Sequence, residues 1–208
     1  KIENYQGNIT EVRSTEGPLK ISEVIDRNPI YEGLFKGAEE IGIPINKDYN
    51  GYGQEGISYT QTTIFKGERM SAEVAYLRPT KSRKNLKIIT NSLVTKLLFD
   101  GKKCKGVKVK NKNKITDFFT QNEVILCGGA INSPQILELS GIGNRSLLEE
   151  KGISLVHELK GVGENLRDHL GPRLVYNITK RGISYNDKAR GINLIKQVLK
   201  YVFKLSLI

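Results

Sequence analysis

Apolar residues recur along this chain at two spacings, and each change of spacing marks a boundary between elements. Leu34, Phe35, Ala38 and Ile41 repeat at helical spacing behind Asn28-Pro29, a capping residue followed by a first-turn proline, and Gly42 ends the run. Leu194, Ile195, Val198, Leu199, Val202 and Phe203 repeat the same way over Ile192 to Leu205, with Lys196, Lys200 and Lys204 on another face. Between these helices the period shortens to that of strands. Ile9 and Val12, then Leu19-Lys20-Ile21 after Glu16-Gly17-Pro18, predict a hairpin over Gly7 to Ser22. Ile57 to Ile64 alternates as a half-buried strand, Gly67-Glu68-Arg69 turns, and Ser71 caps a short helix that Pro79 stops. Asn85 to Asp100 reads as two closely linked strands, followed by Cys104 to Lys110 and Ile115 to Thr120 across an Asn111-Lys112-Asn113 turn. The pattern there is a small antiparallel meander. Asn144 caps a short helix ending at Gly152, and Ile153 to Val156 and Leu174 to Thr179 read as further strands. The stretch from Ile43 to Gly56, rich in Gly, Pro, Asn and Asp, is loop.

The densest signal lies in Glu123 to Gly143, EVILCGGAINSPQILELSGIG. Val124, Ile125 and Leu126 form the kind of run that is buried on both faces of a sheet. Gly128 and Gly129 allow a sharp turn or the close approach of a ligand. Asn132 or Ser133 then caps a helix with Pro134 in its first turn, Ile136, Leu137, Leu139 and Ile142 supply its buried stripe, and Gly141 ends it. A strand, a glycine turn and a helix N-terminus together form the grammar with which α/β folds hold phosphates or electron-rich rings.

Charge and cysteine content narrow the chemistry. The 208 residues carry a formal net charge of +11, which raises a polyanion-binding reading. Yet the lysines are scattered through turns and strand edges, as from Lys102 to Lys114, without interleaved aromatics or a recognition motif. The expectation is a solvated lysine-rich surface and no nucleic-acid partner. Two histidines and two widely separated cysteines, Cys104 and Cys127, provide neither metal-ligand spacing nor a pairing ladder. No metal site is expected, and both cysteines read as small hydrophobes. The chain starts at Lys1 and ends on Leu-Ser-Leu-Ile, so both ends read as cut, and localisation stays open.

The residue order from Gly129 onward resembles a signature of the glucose-methanol-choline family of flavin-dependent alcohol oxidoreductases. Gly129, Ala130, Ser133, Pro134, Ile136, Leu137, Ser140, Gly141, Ile142 and Gly143 meet its pattern. Arg69, Ser71, Ala72, Tyr76, Leu77 and Pro79 resemble a second stretch of that family, and Asp48-Tyr49-Asn50-Gly51 with Gln54-Glu55-Gly56 resembles its loop leading into the substrate domain. Gly161-Val162-Gly163-Glu164-Asn165-Leu166-Arg167-Asp168-His169 is similar to a third segment, which passes near the flavin.

That resemblance implies a mixed α/β fold. Residues 1–84 would form part of a substrate-binding domain, 85–169 part of an FAD-binding domain with its antiparallel meander, and 170–208 a second segment of the antiparallel-sheet substrate domain. It implies FAD as cofactor, with Val94 (through its backbone), Gly129, Ala130, Asp168 and His169 as cofactor-binding positions. It also implies oxidation of a small-molecule primary or secondary alcohol, choline-like among the candidates, with hydride passing to flavin N5. No catalytic residue is assigned within this chain. The family's Gly-x-Gly-x-x-Gly turn at the head of a βαβ unit, and the stretch bearing its catalytic histidine, are not expected here, so the segment alone is expected to hold no FAD and to be inactive. For His169 a loop-tying role competes with a catalytic one, and His157 reads as incidental. A basic binding module and a remnant without function are the rival readings. The last helix reads as packed on its own domain, with a membrane surface as the alternative. Oligomeric state is left open.

Overall fold

The computed structural model describes residues 2–7, 11–24, 27–180 and 182–203. These form two compact units, one from the described residues of Lys1–Leu86 and Leu174–Ile208, the other from Lys87–Arg173. The fold is mixed α/β.

The first unit opens with β1 (Glu3–Tyr5) and β2 (Leu19–Glu23), which pair in parallel with Glu3 opposite Leu19. The expected Gly7–Ser22 hairpin is therefore corrected: its return strand exists, but its partner is β1, and Ile9 lies outside the described residues. The reason lies at Arg13, which is buried in the connecting segment. Its guanidinium binds Glu3 through Nε to Oε1 (3.0 Å) and Nη2 to Oε2 (3.1 Å), and Asp48 through Nη1 to Oδ1 (2.6 Å). It also lies 3.8 Å from the centroid of the Tyr5 ring. A connector folded inward around a buried cation cannot run as a hairpin strand. Gly17 completes the crossing, since a Cβ there would stand 2.1 Å from the carbonyl oxygen of Ile2.

Helix α1 (Pro29–Glu40) starts where Asn28 Oδ1 accepts the Ile30 N–H at 3.0 Å, as its cap residue and proline foretell. Of its apolar stripe only Ala38 is buried, while Leu34 and Ile41 are exposed. The expected strand over Ile57–Ile64 contracts to an isolated bridge at Ile57, β3 (Gln61–Thr62) and the start of β4 (Ile64–Phe65). β4 forms a hairpin with β5 (Glu68–Arg69) across Lys66 and Gly67, both at positive φ. Ser71 Oγ accepts the Val74 N–H, but Pro79 does not stop the helix. A π-helical turn over Glu73–Leu77 runs into α2 (Arg78–Thr80), where Pro79 occupies a first-turn position and needs no N–H donor.

The second unit is built on the meander β6 (Leu93–Asp100), β7 (Lys103–Asn111) and β8 (Lys114–Phe119), antiparallel in sequence order. Lys112 at φ 51° makes the β7–β8 turn, and Gly106 has no room for a Cβ, which would meet the Phe118 carbonyl oxygen at 2.0 Å. Two expected strands do not form. Leu86 to Ile89 and Val124 to Leu126 lack ladder partners among the described residues, and Ile125 is 73% exposed. Strand propensity is realised only against a neighbour.

Helix α3 (Gly129–Leu139) begins at Gly129 rather than at Asn132 or Ser133, leaving Pro134 inside it. None of its residues is fully buried; Ile136 and Leu137 are half-buried and Leu139 is exposed. Gly141, at φ 88°, ends it and leads into β9 (Ile142–Gly143). Asn144 caps α4 (Arg145–Glu150) by accepting the Ser146 N–H at 3.0 Å. The strand expected at Ile153–Val156 appears later, as β10 (His157–Glu158), parallel to β9.

The chain then returns to the first unit. Leu174–Thr179 is not a strand; Leu174 and Val175 are exposed and unpaired in any ladder. Ser184 and Asp187 form a capping box at α5 (Tyr185–Lys188), and α6 (Gly191–Val202) follows. Lys204 and Leu205, expected in that last helix, lie outside the described residues.

Candidate functional site

The second unit contains a cleft of about 600 Å³ between α3 and the segment Gly161–Arg167. Its geometry follows from the glycine-rich sequence around α3. Gly141 turns the chain through a left-handed conformation, and its carbonyl accepts the N–H groups of Val156 (2.8 Å) and His157 (3.1 Å). The Gly143 carbonyl then accepts the Leu159 N–H at 2.9 Å. This short parallel pairing of β9 with β10 delivers Gly161 to Arg167 back alongside α3. Val162 is buried at the return, with its N–H bonded to the Leu159 carbonyl.

Ala130, Ile131, Ser133, Pro134, Gln135 and Glu138 are among the residues lining the helix side of the cleft. The opening turns of a helix carry N–H groups without intrahelical acceptors and the positive end of its dipole. Gly129, the first helical residue, has φ 80° and open space where a Cβ would stand. Pro134 lacks the N–H that would bond the Ala130 carbonyl, so a second backbone group in this wall lacks its helical partner. On the loop side Gly161 is equally open, while a Cβ on Gly163 would lie 2.8 Å from Glu138 Oε1. Glu138 thus fills the space that Gly163 leaves between helix and loop, while the space beside Gly161 stays open. Ile131 and Leu166 add apolar surface, 69% and 68% exposed. Together these groups offer backbone donors, a helix N-terminus and apolar contact, a combination suited to one side of a flat, phosphate-bearing ligand.

Of the positions expected to bind cofactor, Ala130 lines this cleft and Gly129 adjoins it. Val94 sits in β6 opposite Val109, at an irregularity in the pairing before Lys96, and is not among the lining residues. Asp168 and His169 follow the loop and are exposed, with Asp168 Oδ1 accepting the His169 backbone N–H at 2.7 Å. His157 lies in β10. Asn165 and Arg167 line the cleft from within the segment that resembles the family stretch near the flavin, whereas Gln135 and Glu138 line it without belonging to the positions that carry the family pattern. The available signal was spacing: Ala130, Pro134 and Glu138 follow one another at i, i+4 and i+8, on one face of the helix.

One literal Gly-x-Gly-x-x-Gly does occur, at Gly51, Gly53 and Gly56. It occupies the loop before the Ile57 bridge, with no strand leading in and no helix leading out. A Cβ at Gly56 would stand 2.4 Å from the Pro44 carbonyl oxygen, so this glycine closes the loop on itself. It is not the dinucleotide-binding turn of a βαβ unit. Among the described residues no group of three or more His, Cys, Asp or Glu side chains could hold a metal ion. A separate cleft in the first unit includes Tyr59, but Phe35 stacks on that ring at 4.7 Å and the Arg27 guanidinium lies 5.2 Å from its centroid. These contacts tie α1 to the β3 region.

The model of the GMC oxidoreductase family matches residues 2–171. The chain belongs to the GMC oxidoreductase family. The match takes in most of both units, including the whole of α3 and the Gly161–His169 segment. Human mitochondrial choline dehydrogenase is 41% identical over 170 residues, covering 82% of this chain and 29% of that protein. An oxygen-dependent choline dehydrogenase of Staphylococcus epidermidis is 45% identical over 163 residues, covering 77% of this chain and 28% of that protein. This GMC chain therefore spans under a third of the length of the curated relatives it matches. Among solved structures, an FAD-dependent oxidoreductase from Chaetomium thermophilum is similar with a TM-score of 0.75 and 31% identity, over 81% of this chain and 32% of that one. Formate oxidase of Aspergillus oryzae is similar with a TM-score of 0.73 and 29% identity, over 81% and 31%.

Proposed function

We propose that this chain is a central portion of an FAD-dependent oxidoreductase acting on the CH–OH group of a small alcohol. The cleft between α3 and Gly161–Arg167 supports the reading. Its residues fit one wall of a flavin nucleotide: open glycine backbone at Gly129 and Gly161, the positive end of α3, and the apolar edges of Ile131 and Leu166. In this reading the second unit belongs to the FAD-binding domain and the first to the substrate domain. Gly129 and Ala130 approach the cofactor through their backbone, Val94 presents a main-chain N–H and C=O, and Asp168 and His169 hold the loop that follows the cleft. The flavin, when bound, would supply the acceptor for hydride from the alcohol carbon. The names of the relatives favour a choline-like alcohol as substrate. The residues of this chain orient and desolvate the cofactor, and none of them is assigned as the base that takes the hydroxyl proton.

Alone, the chain is proposed to hold FAD too weakly for retention and to oxidise no alcohol, because the pyrophosphate turn of a βαβ unit is not among its residues. Two measurements test this. Incubation with FAD followed by gel filtration should give colourless protein without choline oxidation; a yellow protein retaining flavin absorbance overturns this part. Photolabelling with an azido-flavin at saturating concentration should mark peptides from 129–138 and 161–169. Labelling confined to the first unit overturns the assignment of the cleft.

A further inference from the structure

We propose that Glu138 is the hydroxyl-binding residue of the cleft: its carboxylate accepts hydrogen bonds from vicinal hydroxyls of the nucleotide, on the ribityl chain or a ribose, and phosphate is held away from it. This rests on reading the cleft as one wall of a flavin nucleotide. Among the described residues, the ionisable side chains lining the cleft are Glu138, Glu164 and Arg167. Two carboxylates against one guanidinium leave it formally negative, although the whole chain carries +11. Phosphate gains no net attraction from such a lining. Ser133, Gln135 and Asn165, which also line it, are neutral groups that both donate and accept, as sugar hydroxyls do.

Packing holds the Glu138 side chain in place before any ligand arrives. A Cβ on buried Gly143 would stand 3.2 Å from Glu138 Cγ, so the stem lies against one glycine as the carboxylate lies against Gly163. A side chain seated between two glycines loses little freedom on binding. Glu138 is half-buried, and its carboxylate has no hydrogen-bond or ion-pair partner among the described residues. An ionised carboxylate only accepts, so it needs donors, and hydroxyls supply them in short, charge-assisted bonds. Position along α3 separates the two tasks. Glu138 follows Ala130 by two turns, about 12 Å along the axis, whereas the positive end of a helix acts only over its first turn. Phosphate at the start of α3 and hydroxyls at Glu138 therefore fix the direction in which the nucleotide lies.

The test is an NMR titration of the isotope-labelled full chain, unaltered and as Glu138→Gln. The ligands are riboflavin, lumiflavin (a methyl group in place of the ribityl chain), adenosine and dideoxyadenosine. Riboflavin against lumiflavin reads the ribityl chain; adenosine against its dideoxy form reads the ribose. At least one hydroxyl-bearing ligand should shift amide resonances in 129–138 and 161–167. Glu138→Gln should weaken that ligand by roughly 10-fold and leave its hydroxyl-free counterpart unchanged. Glu138→Asp, which keeps the charge and shortens the reach, should fall between. Equal affinity of both chains for riboflavin and for adenosine overturns the proposal and leaves the flavin wall standing. An equal loss for lumiflavin and dideoxyadenosine also overturns it, because the change is then one of cleft shape and not of a hydroxyl contact. Shifts confined to the first unit, or none with any ligand, overturn the flavin wall itself and the proposal with it.

Discussion

The Ser140 hydroxyl accepts the backbone N–H of Leu97 at 2.8 Å and donates to the Ile136 carbonyl at 2.6 Å. Ser140 and Leu97 are both buried, so this bond pins the C-terminal end of α3 to β6 where water cannot substitute. Ser140→Ala leaves the Leu97 N–H without its partner inside the unit. The expected loss is about 1–3 kcal/mol, read as a lower urea midpoint for the second unit. An unchanged midpoint would mean that the N–H finds another acceptor.

Gly141 follows directly and carries a different constraint. It stands at φ 88°, and a Cβ there would meet the Ser154 carbonyl oxygen at 2.3 Å. Gly141→Ala therefore combines left-handed strain of about 1–2 kcal/mol with a clash against backbone. The Val156 and His157 N–H groups that bond the Gly141 carbonyl should exchange faster with solvent, and the Gly161–Arg167 side of the cleft should loosen with them. Hydrogen exchange by mass spectrometry reads both regions. Protection unchanged in either peptide would sever the link drawn between this turn and the cleft.

Gly163 tests the cleft from the other side. Its φ of 80° disfavours any side chain, and Glu138 Oε1 occupies the added methyl's space. Gly163→Ala should cost about 1–2 kcal/mol through the backbone alone. Glu138→Ala, which opens that space, should recover only the steric share and leave the φ cost in place. A double-mutant cycle in urea separates the two, and full rescue by Glu138→Ala would show that backbone conformation contributes nothing.

What could be read in the sequence divides along physical lines. Asn28-Pro29 and Asn144 act within one helical turn, so their caps were visible from local residue order, as was the β7–β8 turn at Lys112. The three glycine-bearing motifs likewise revealed the family. Pairing partners were hidden because a strand is defined by its neighbour: Val124 to Leu126 has the composition of a buried strand and no ladder here, and β1 pairs with β2 in parallel because Arg13 folds the connector inward. Glu138 was missed for a related reason. As a carboxylate in an apolar stripe it reads as the solvent side of α3, and only the return of Gly163 through the β9–β10 pairing encloses it.

Arg13 gives the prediction with the largest expected effect. Its side chain is 1% exposed and pairs with Glu3 and Asp48, themselves partly shielded. Arg13→Met removes the cation and leaves two carboxylates facing each other, which should cost about 3–5 kcal/mol; Arg13→Lys should recover only part, because an ammonium cannot reproduce the two-pronged contact with Glu3. The pH dependence follows from two neighbours. Burial opposes ionisation of Glu3, but the Ser14 N–H and Arg13 outweigh it and hold its carboxyl below the ordinary value of 4.5. A lowered folded value means stabilisation present above 4.5 and lost as pH falls through the folded value. Tyr5 moves the other way, pushed up to about 12 by burial and then by its hydrogen bond to Glu23. Its contribution is complete below pH 10 and is lost as pH rises through about 12. Denaturation monitored by tyrosine absorbance should show the first unit weakening at both extremes. In Arg13→Met the acid limb should flatten, since the ionised Glu3 then keeps only the Ser14 N–H against burial and the charge of Asp48, whereas Tyr5→Phe should flatten the alkaline limb alone. An acid limb unchanged by Arg13→Met would place its origin outside this network.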